Sequence, residues 1–206
     1  EELEAAFEIA HQRGYKVMAH ATNPDAVKAA VSLGAHSVEH GYIMDEECVQ
    51  LLQERDTWYV PTLAITHLTP SQASSEREKR WVEQRAMAPD LVERADAASD
   101  THRTWFLQAL RSGVNMALGS DILPLRESAL LEMGLWVKDG ATPWQTLLAA
   151  TRNAAQLCGR GDDLGTVETG KIADLIVVAG NPLQDIAYIG NLLLVIKEGR
   201  VVSDHR

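Results

Sequence analysis

With 206 residues, 46% apolar and 23% charged, the chain can bury one good core, or one core and a small appendage. Its formal charge of −10 argues against nucleic acid, whose phosphates demand clustered Lys and Arg; a solvated acidic surface is the plain reading. No window reaches the roughly 18 uninterrupted apolar residues of a membrane span.

Glu1-Glu2-Leu3-Glu4-Ala5-Ala6-Phe7 reads as an acidic helix start and not a signal peptide, so the sequence is expected to open inside a fold. An apolar stripe over residues 2–13 (Leu3, Ala6, Phe7, Ile9, Ala10) predicts a helix ended by Gly14. Tyr15 to Ala21 is a short strand, and Asn23-Pro24-Asp25 starts a helix that ends at Gly34. His36 to His40 is the next strand, Asp45 caps a helix through Leu51 and Leu52, and Thr57 to Leu63 is a third strand. This alternation predicts right-handed βαβ units and a parallel sheet.

Thr66 to Ser75 reads as a polar loop, followed by a charged helix over Glu76 to Gln84 and a long helix from Pro89 to about Ser112. Such an insertion at the active face serves as a lid or a pocket wall. Val114 to Leu118 is the fourth strand, and helices follow over Glu127–Lys138, Pro143–Thr151 and Asn153–Cys158. Beyond a boundary near residue 160 the chain turns strand-like at Leu164–Val167 and Gly170–Val178, then closes with a hairpin over Leu192–Lys197 and Arg200–Ser203. Cys48 and Cys158 lie far apart on predicted helices. Neither a disulfide framework nor a cysteine zinc site is indicated; two buried thiols in a reducing cytoplasm is the expectation.

His20 and His40 each end an apolar run and precede turn residues, and Asp121 repeats the pattern after Val114 to Leu118. In a parallel α/β barrel the carboxyl-terminal strand ends are where catalytic groups collect. Two imidazoles and a carboxylate suit a divalent metal, zinc first, with a fourth position left for water. His36, four positions before His40, belongs at the opposite strand end and is expected to be structural. Glu39 is a candidate partner orienting His40. Thr22 and Tyr42, two residues past the histidines, and Arg126, soon after Asp121, are candidates to meet substrate. His67 and His102 lie in or near the insertion, where packing is the first expectation. The four strands could form an open doubly wound sheet, whereas a closed barrel needs eight strands and about 250 residues.

The runs Val17-Met18-Ala19-His20-Ala21, Val38-Glu39-His40-Gly41, Val60-Pro61-Thr62-Leu63 and Gly119-Ser120-Asp121 together resemble the carboxyl-terminal half of the amidohydrolase superfamily. They look closest to the imidazolonepropionase-like branch that includes Xaa-Pro dipeptidases (prolidases). Leu164-Gly165-Thr166-Val167 through Leu175, Asn181-Pro182-Leu183 and the closing hairpin continue the likeness over essentially the whole chain. The resemblance implies strands 5 to 8 of a (β/α)8 barrel over residues 1–160, and part of a small β-sandwich over 161–206. His20 and His40 would be the metal ligands of strands 5 and 6. Asp121, on strand 8, would bind metal and accept a proton from the attacking water.

One or two ions, zinc first, are implied. The family's strand-1 His-x-His pair and strand-4 lysine have no counterpart in these residues. The chain is therefore expected to supply part of the site, and either to need an N-terminal half or to self-associate through exposed sheet edges. The implied reaction is hydrolysis of a peptide or amide bond in a dipeptide or N-acyl amino acid. A cyclic-amide hydrolase or deaminase is the first alternative. Deaminases of the superfamily carry a Glu three or four positions past the strand-5 His, where this chain has Asn23 and Pro24. A non-catalytic fragment or subunit is the second.

Overall fold

The computed structural model describes residues 1–206, with the side chain of Arg126 outside the description. Helix α1 (Glu2–Gln12) leads into β1 (Met18–Ala21), α2 (Pro24–Ser32), β2 (Ser37–His40), α3 (Glu46–Glu54) and β3 (Trp58–Val60). The three strands form one parallel sheet in chain order, with Ala21 opposite His40 and Glu39 opposite Val60. Local chemistry sets these boundaries. Asn23 Oδ1 accepts from the Ala26 amide with Pro24 in the first turn of α2, and Asp45 Oδ1 accepts from the Cys48 amide at the start of α3.

The third strand is shorter than its apolar run because Pro61 has no amide to donate and Thr62 turns to φ +52°. The predicted fourth strand is a single parallel bridge, Tyr59 to Met116. Its outer edge bonds to a helix instead of a strand: Leu118 N donates to the Ala149 carbonyl, and Asn153 Nδ2 to the Met116 carbonyl. Ala149–Asn153 is a π-helical turn between α8 (Pro143–Leu148) and α9 (Ala154–Leu157). Such a turn loosens the regular helical ladder and frees a carbonyl to accept from outside.

Between these elements lie α4 (Ala64–His67), α5 (Glu76–Arg85), α6 (Pro89–Ser112) and α7 (Leu125–Lys138). The predicted polar loop at Thr66–Ser75 is therefore corrected: its first part is helical, and Thr66, His67, Leu68 and Thr69 are buried. Each polar side chain finds a partner inside. Thr66 Oγ1 lies 2.7 Å from His102 Nδ1, His67 Nδ1 lies 3.1 Å from the Leu63 carbonyl oxygen, and Thr69 donates to Asp96. His67 Nε2 and Asp139 Oδ2 face each other at 3.1 Å as an ion pair without hydrogen-bond geometry. Paired polar groups are cheap to bury, which polarity of sequence alone does not reveal.

A second sheet, β4 (Leu175–Val178), β5 (Leu192–Lys197) and β6 (Arg200–Asp204), is antiparallel. Its hairpin turns at Glu198 and Gly199, both at positive φ, the two-residue geometry that matches strand twist. Leu164–Val167, expected as strand, is irregular. The chain is thus α/β with one parallel and one antiparallel sheet. Among the described residues no helix is long and apolar enough to cross a membrane.

Val27, Val31, Val38, Leu52, Tyr59 and Leu63 pack α2 and α3 against the parallel sheet. Cys48 belongs to this core, whereas Cys158 at the end of α9 is exposed, correcting the expectation of two buried thiols. Burial pushes the Cys48 thiol up to about 11. A thiol reagent at neutral pH is expected to titrate Cys158 alone in the native protein and both cysteines in denaturant; two rapid native equivalents would contradict this packing.

Candidate active site

The parallel strands end in strained backbone. His40 (φ +78°), Thr62 (φ +52°) and Asp121 (φ +48°) all lie in the left-handed region, the first two at or just past the ends of β2 and β3 and the third beyond the Met116 bridge. A β-branched residue there is an outlier, and each such residue costs on the order of 1–3 kcal/mol. Two glycines allow the crowding. A Cβ on Gly41 would meet the Tyr59 ring at 2.8 Å, and one on Gly119 would meet Val60 Cγ1 at 2.5 Å.

The structure brings His20 and His40 together, with ring centroids 4.4 Å apart and planes crossed at 68°. His20 is exposed and His40 buried. The buried imidazole is held on several sides. Thr62 Oγ1 lies 2.8 Å and the Tyr42 hydroxyl 3.2 Å from its Nδ1, while Tyr59 donates its hydroxyl to the His40 carbonyl. With Nδ1 so engaged, Nε2 is the nitrogen left for a ligand. Burial, then the neighbouring His20, lowers the His40 pKa, and Asp121 opposes them. That balance favours the neutral imidazole a metal requires.

Asp121 is exposed and close enough for its charge to raise both His40 and Glu39. Glu39 does not bond His40; its carboxylate accepts from Ser37 Oγ at 2.7 Å, and burial pushes it up. Tyr42, pushed up to about 12 by burial, keeps its proton at neutral pH. Thr22 and Tyr42 both line a cavity of about 410 Å³ that opens toward α5 and α6. The Arg126 side chain lies outside the described residues. Asn23 caps α2 and Pro24 opens it, so neither position supplies a carboxylate.

Other histidines are placed elsewhere. His36 Nε2 bonds the Leu157 carbonyl at 2.9 Å, tying β2 to α9. His67 and His102 share the Thr66 hydroxyl in a buried knot that Asp139 and Arg103 complete. Burial lowers both, His102 strongly. They bind α4 to α6 and α7.

Sequence reasoning passed over Thr62, the hydroxyl against His40, although its place after a strand and a proline marked a strand end. It also passed over Glu132. This fully buried α7 carboxylate accepts from the Leu63 amide (2.9 Å), the Ala64 amide (2.8 Å) and Trp136 Nε1 (2.9 Å). It thereby fixes the backbone that follows Thr62.

The donor set suits a divalent ion in its chemistry: two adjoining imidazoles, one with its second nitrogen engaged by hydroxyls, and a nearby carboxylate. Among the described residues no three His, Cys, Asp or Glu side chains converge as a complete metal cluster. The histidine pair is the arrangement that these residues assemble.

Comparison with known proteins shows which family the chain resembles. The profile of the amidohydrolase family matches residues 1–202. Ochratoxinase of Aspergillus niger is 31% identical over 188 residues, covering 90% of this chain and 37% of that protein. A Xaa-Pro dipeptidase crystallised with methionine in its active site superposes with a TM-score of 0.83 at 30% identity, over 100% of this chain and 48% of the other. A prolidase complexed with N-methylphosphonate-L-proline gives a TM-score of 0.82 at 28% identity, over 99% of this chain and 49% of the other. The chain thus spans about half or less of the length of the relatives it matches.

Proposed function

Because the chain belongs to the amidohydrolase family, we propose that the protein is a metal-dependent hydrolase of C–N bonds whose metal centre is carried in part by His20, His40 and Asp121. The observation that carries this reading is the His20–His40 pair, with the second nitrogen of His40 engaged by Thr62 and Tyr42. We further assign residues 1–160 to strands 5 to 8 of a (β/α)8 barrel and 161–206 to part of a β-sandwich. Apolar side chains left exposed at Met18, Leu123, Leu125, Val167, Val201 and Val202 support a covering N-terminal half. Self-association is the alternative use of those edges.

A bound divalent ion, zinc first and one or two in number, supplies Lewis acidity toward the scissile carbonyl and lowers the pKa of water. The chain's own residues do the rest. His40 is oriented by Thr62 and Tyr42, His20 closes the pair from the exposed side, and Asp121 takes a proton on its carboxylate and returns it to the leaving nitrogen. Tyr42, protonated at neutral pH, is placed to donate a hydrogen bond to substrate beside His40. Methionine and a proline phosphonate in two structural neighbours support a substrate with a free carboxylate, a dipeptide or an N-acyl amino acid.

The test is hydrolysis of such substrates by the protein with all eight strands present, stripped by chelator and reloaded with zinc. Amine release that disappears on stripping and returns on reloading is expected; none with any divalent ion would refute the reading. Thr62→Val removes the hydroxyl at 2.8 Å from His40 Nδ1 while keeping a β-branched shape. It is expected to weaken metal affinity about 10- to 100-fold, and unchanged affinity by competition with a chromophoric chelator would contradict the role given to Thr62.

A further inference from the structure

We propose that the cavity beside the histidine pair is a recognition pocket for an apolar group bearing a carboxylate, with Arg85 as its anion partner. The cavity, of about 410 Å³, has Thr22 and Tyr42 on the side of the strand ends and Arg85 and Arg94 on the side of the insertion. Its size lies in the range of small-molecule sites. Ile65, Leu91, Ala95 and Ala98 make its walls apolar, so it favours a hydrocarbon or aromatic side chain over a polar one.

The two arginines differ. Arg94 is committed to Asp90, its Nη2 lying 3.3 Å from Oδ2 one turn away. Arg85 ends α5 and lies over the Trp81 ring, its Cζ 4.9 Å from the centroid. None of the ion pairs among the described residues includes it. The indole beneath it is fixed in turn, because Trp81 is buried and its Nε1 donates to the Leu123 carbonyl at 3.0 Å. Stacking leaves the in-plane N–H groups of a guanidinium free, the geometry that grips a carboxylate with two parallel bonds. On a chain of net charge −10, a cation at the mouth of an apolar cavity is a local attraction for an anion that the rest of the surface repels.

That the occupant is the substrate rests on the hydrolase reading; that the pocket binds apolar carboxylates does not. Binding of N-acetyl-L-phenylalanine and of N-acetyl-L-phenylalaninamide to the metal-free protein with all eight strands present, followed by calorimetry, separates the two. The acid is expected to bind about five- to tenfold more tightly than the amide. Arg85→Gln, at an exposed position, is expected to erase that difference and leave amide affinity unchanged, whereas Arg94→Gln preserves it. Ala98→Phe fills the cavity and is expected to abolish binding of both. Absence of binding by either ligand, or discrimination that survives Arg85→Gln, would overturn the pocket. Since no metal or turnover enters, binding as described without hydrolysis by the loaded enzyme would sink the hydrolase reading alone; hydrolysis without such binding would sink the pocket alone.

Discussion

Asp121→Asn is expected to lower kcat of the metal-loaded protein by about 10²- to 10⁴-fold, the usual loss on removing a general acid–base, with a smaller change in KM. The substitution is chosen for its backbone. Asp121 sits at φ +48°, a region that Asn tolerates, so the variant removes the proton acceptor without adding strain. Asp121→Ala would confound the two losses. The carboxylate is exposed, and its charge acts on both His40 and Glu39, so water has access to it. A kcat within fivefold of the parent in Asp121→Asn would remove Asp121 from the chemistry.

Glu132→Ala is expected to cost about 3–5 kcal/mol of stability, the loss typical of a buried charge network broken at one partner. It would strand the Leu63 and Ala64 amides and the Trp136 indole N–H in a fully buried space. Trp136→Phe, which removes one of the three donors, is expected to cost about 1 kcal/mol through that hydrogen bond. Urea unfolding monitored by circular dichroism measures both; a Glu132→Ala midpoint equal to that of Trp136→Phe would contradict the clamp.

A pH dependence follows from the same burial. Desolvation pushes the Glu132 carboxyl up to about 7 against its three hydrogen bonds, from an ordinary value of 4.5. The folded state therefore holds the proton more tightly than the unfolded chain. The stability this group contributes through its proton is complete below 4.5 and is lost as pH rises through about 7. Glu132→Gln is expected to flatten that part of the stability profile between pH 4.5 and 7 while lowering stability overall, because an amide turns an N–H toward a backbone N–H. An unchanged slope in the variant would assign the pH dependence to another group.

Much of the fold is legible in the sequence where a local rule decides. Pro89 opens α6 and Gly113, in the left-handed conformation, closes it; Asn23 and Asp45 mark the starts of α2 and α3. His20 and His40 are legible because each ends an apolar run before turn residues. Partners distant in sequence decide the rest. Nothing local to Thr66 or His67 announces His102 and Asp139, so a buried helical knot reads as a polar loop. Glu132 lies among Leu130, Leu131 and Met133, where a lone acid reads as the solvent face of an amphipathic helix. Its spacing of four to Trp136 is the one local sign of a bond. The Val114–Leu118 segment reads as a strand, but forms a single bridge to Tyr59 while its other edge bonds a π-helical turn, a partner distant in sequence.

The metal end assigned to His20 and His40 is tested most directly by ¹⁵N spectra of the imidazole rings during titration of the protein with Zn²⁺. The account predicts that the His20 and His40 ring resonances shift together and saturate at one equivalence point, with Nε2 of His40 as the metallated nitrogen, while His36, His67 and His102 keep their positions. Spectra in which His20 and His40 remain unmoved at saturating zinc, or in which the buried His67–His102 pair shifts instead, would contradict it.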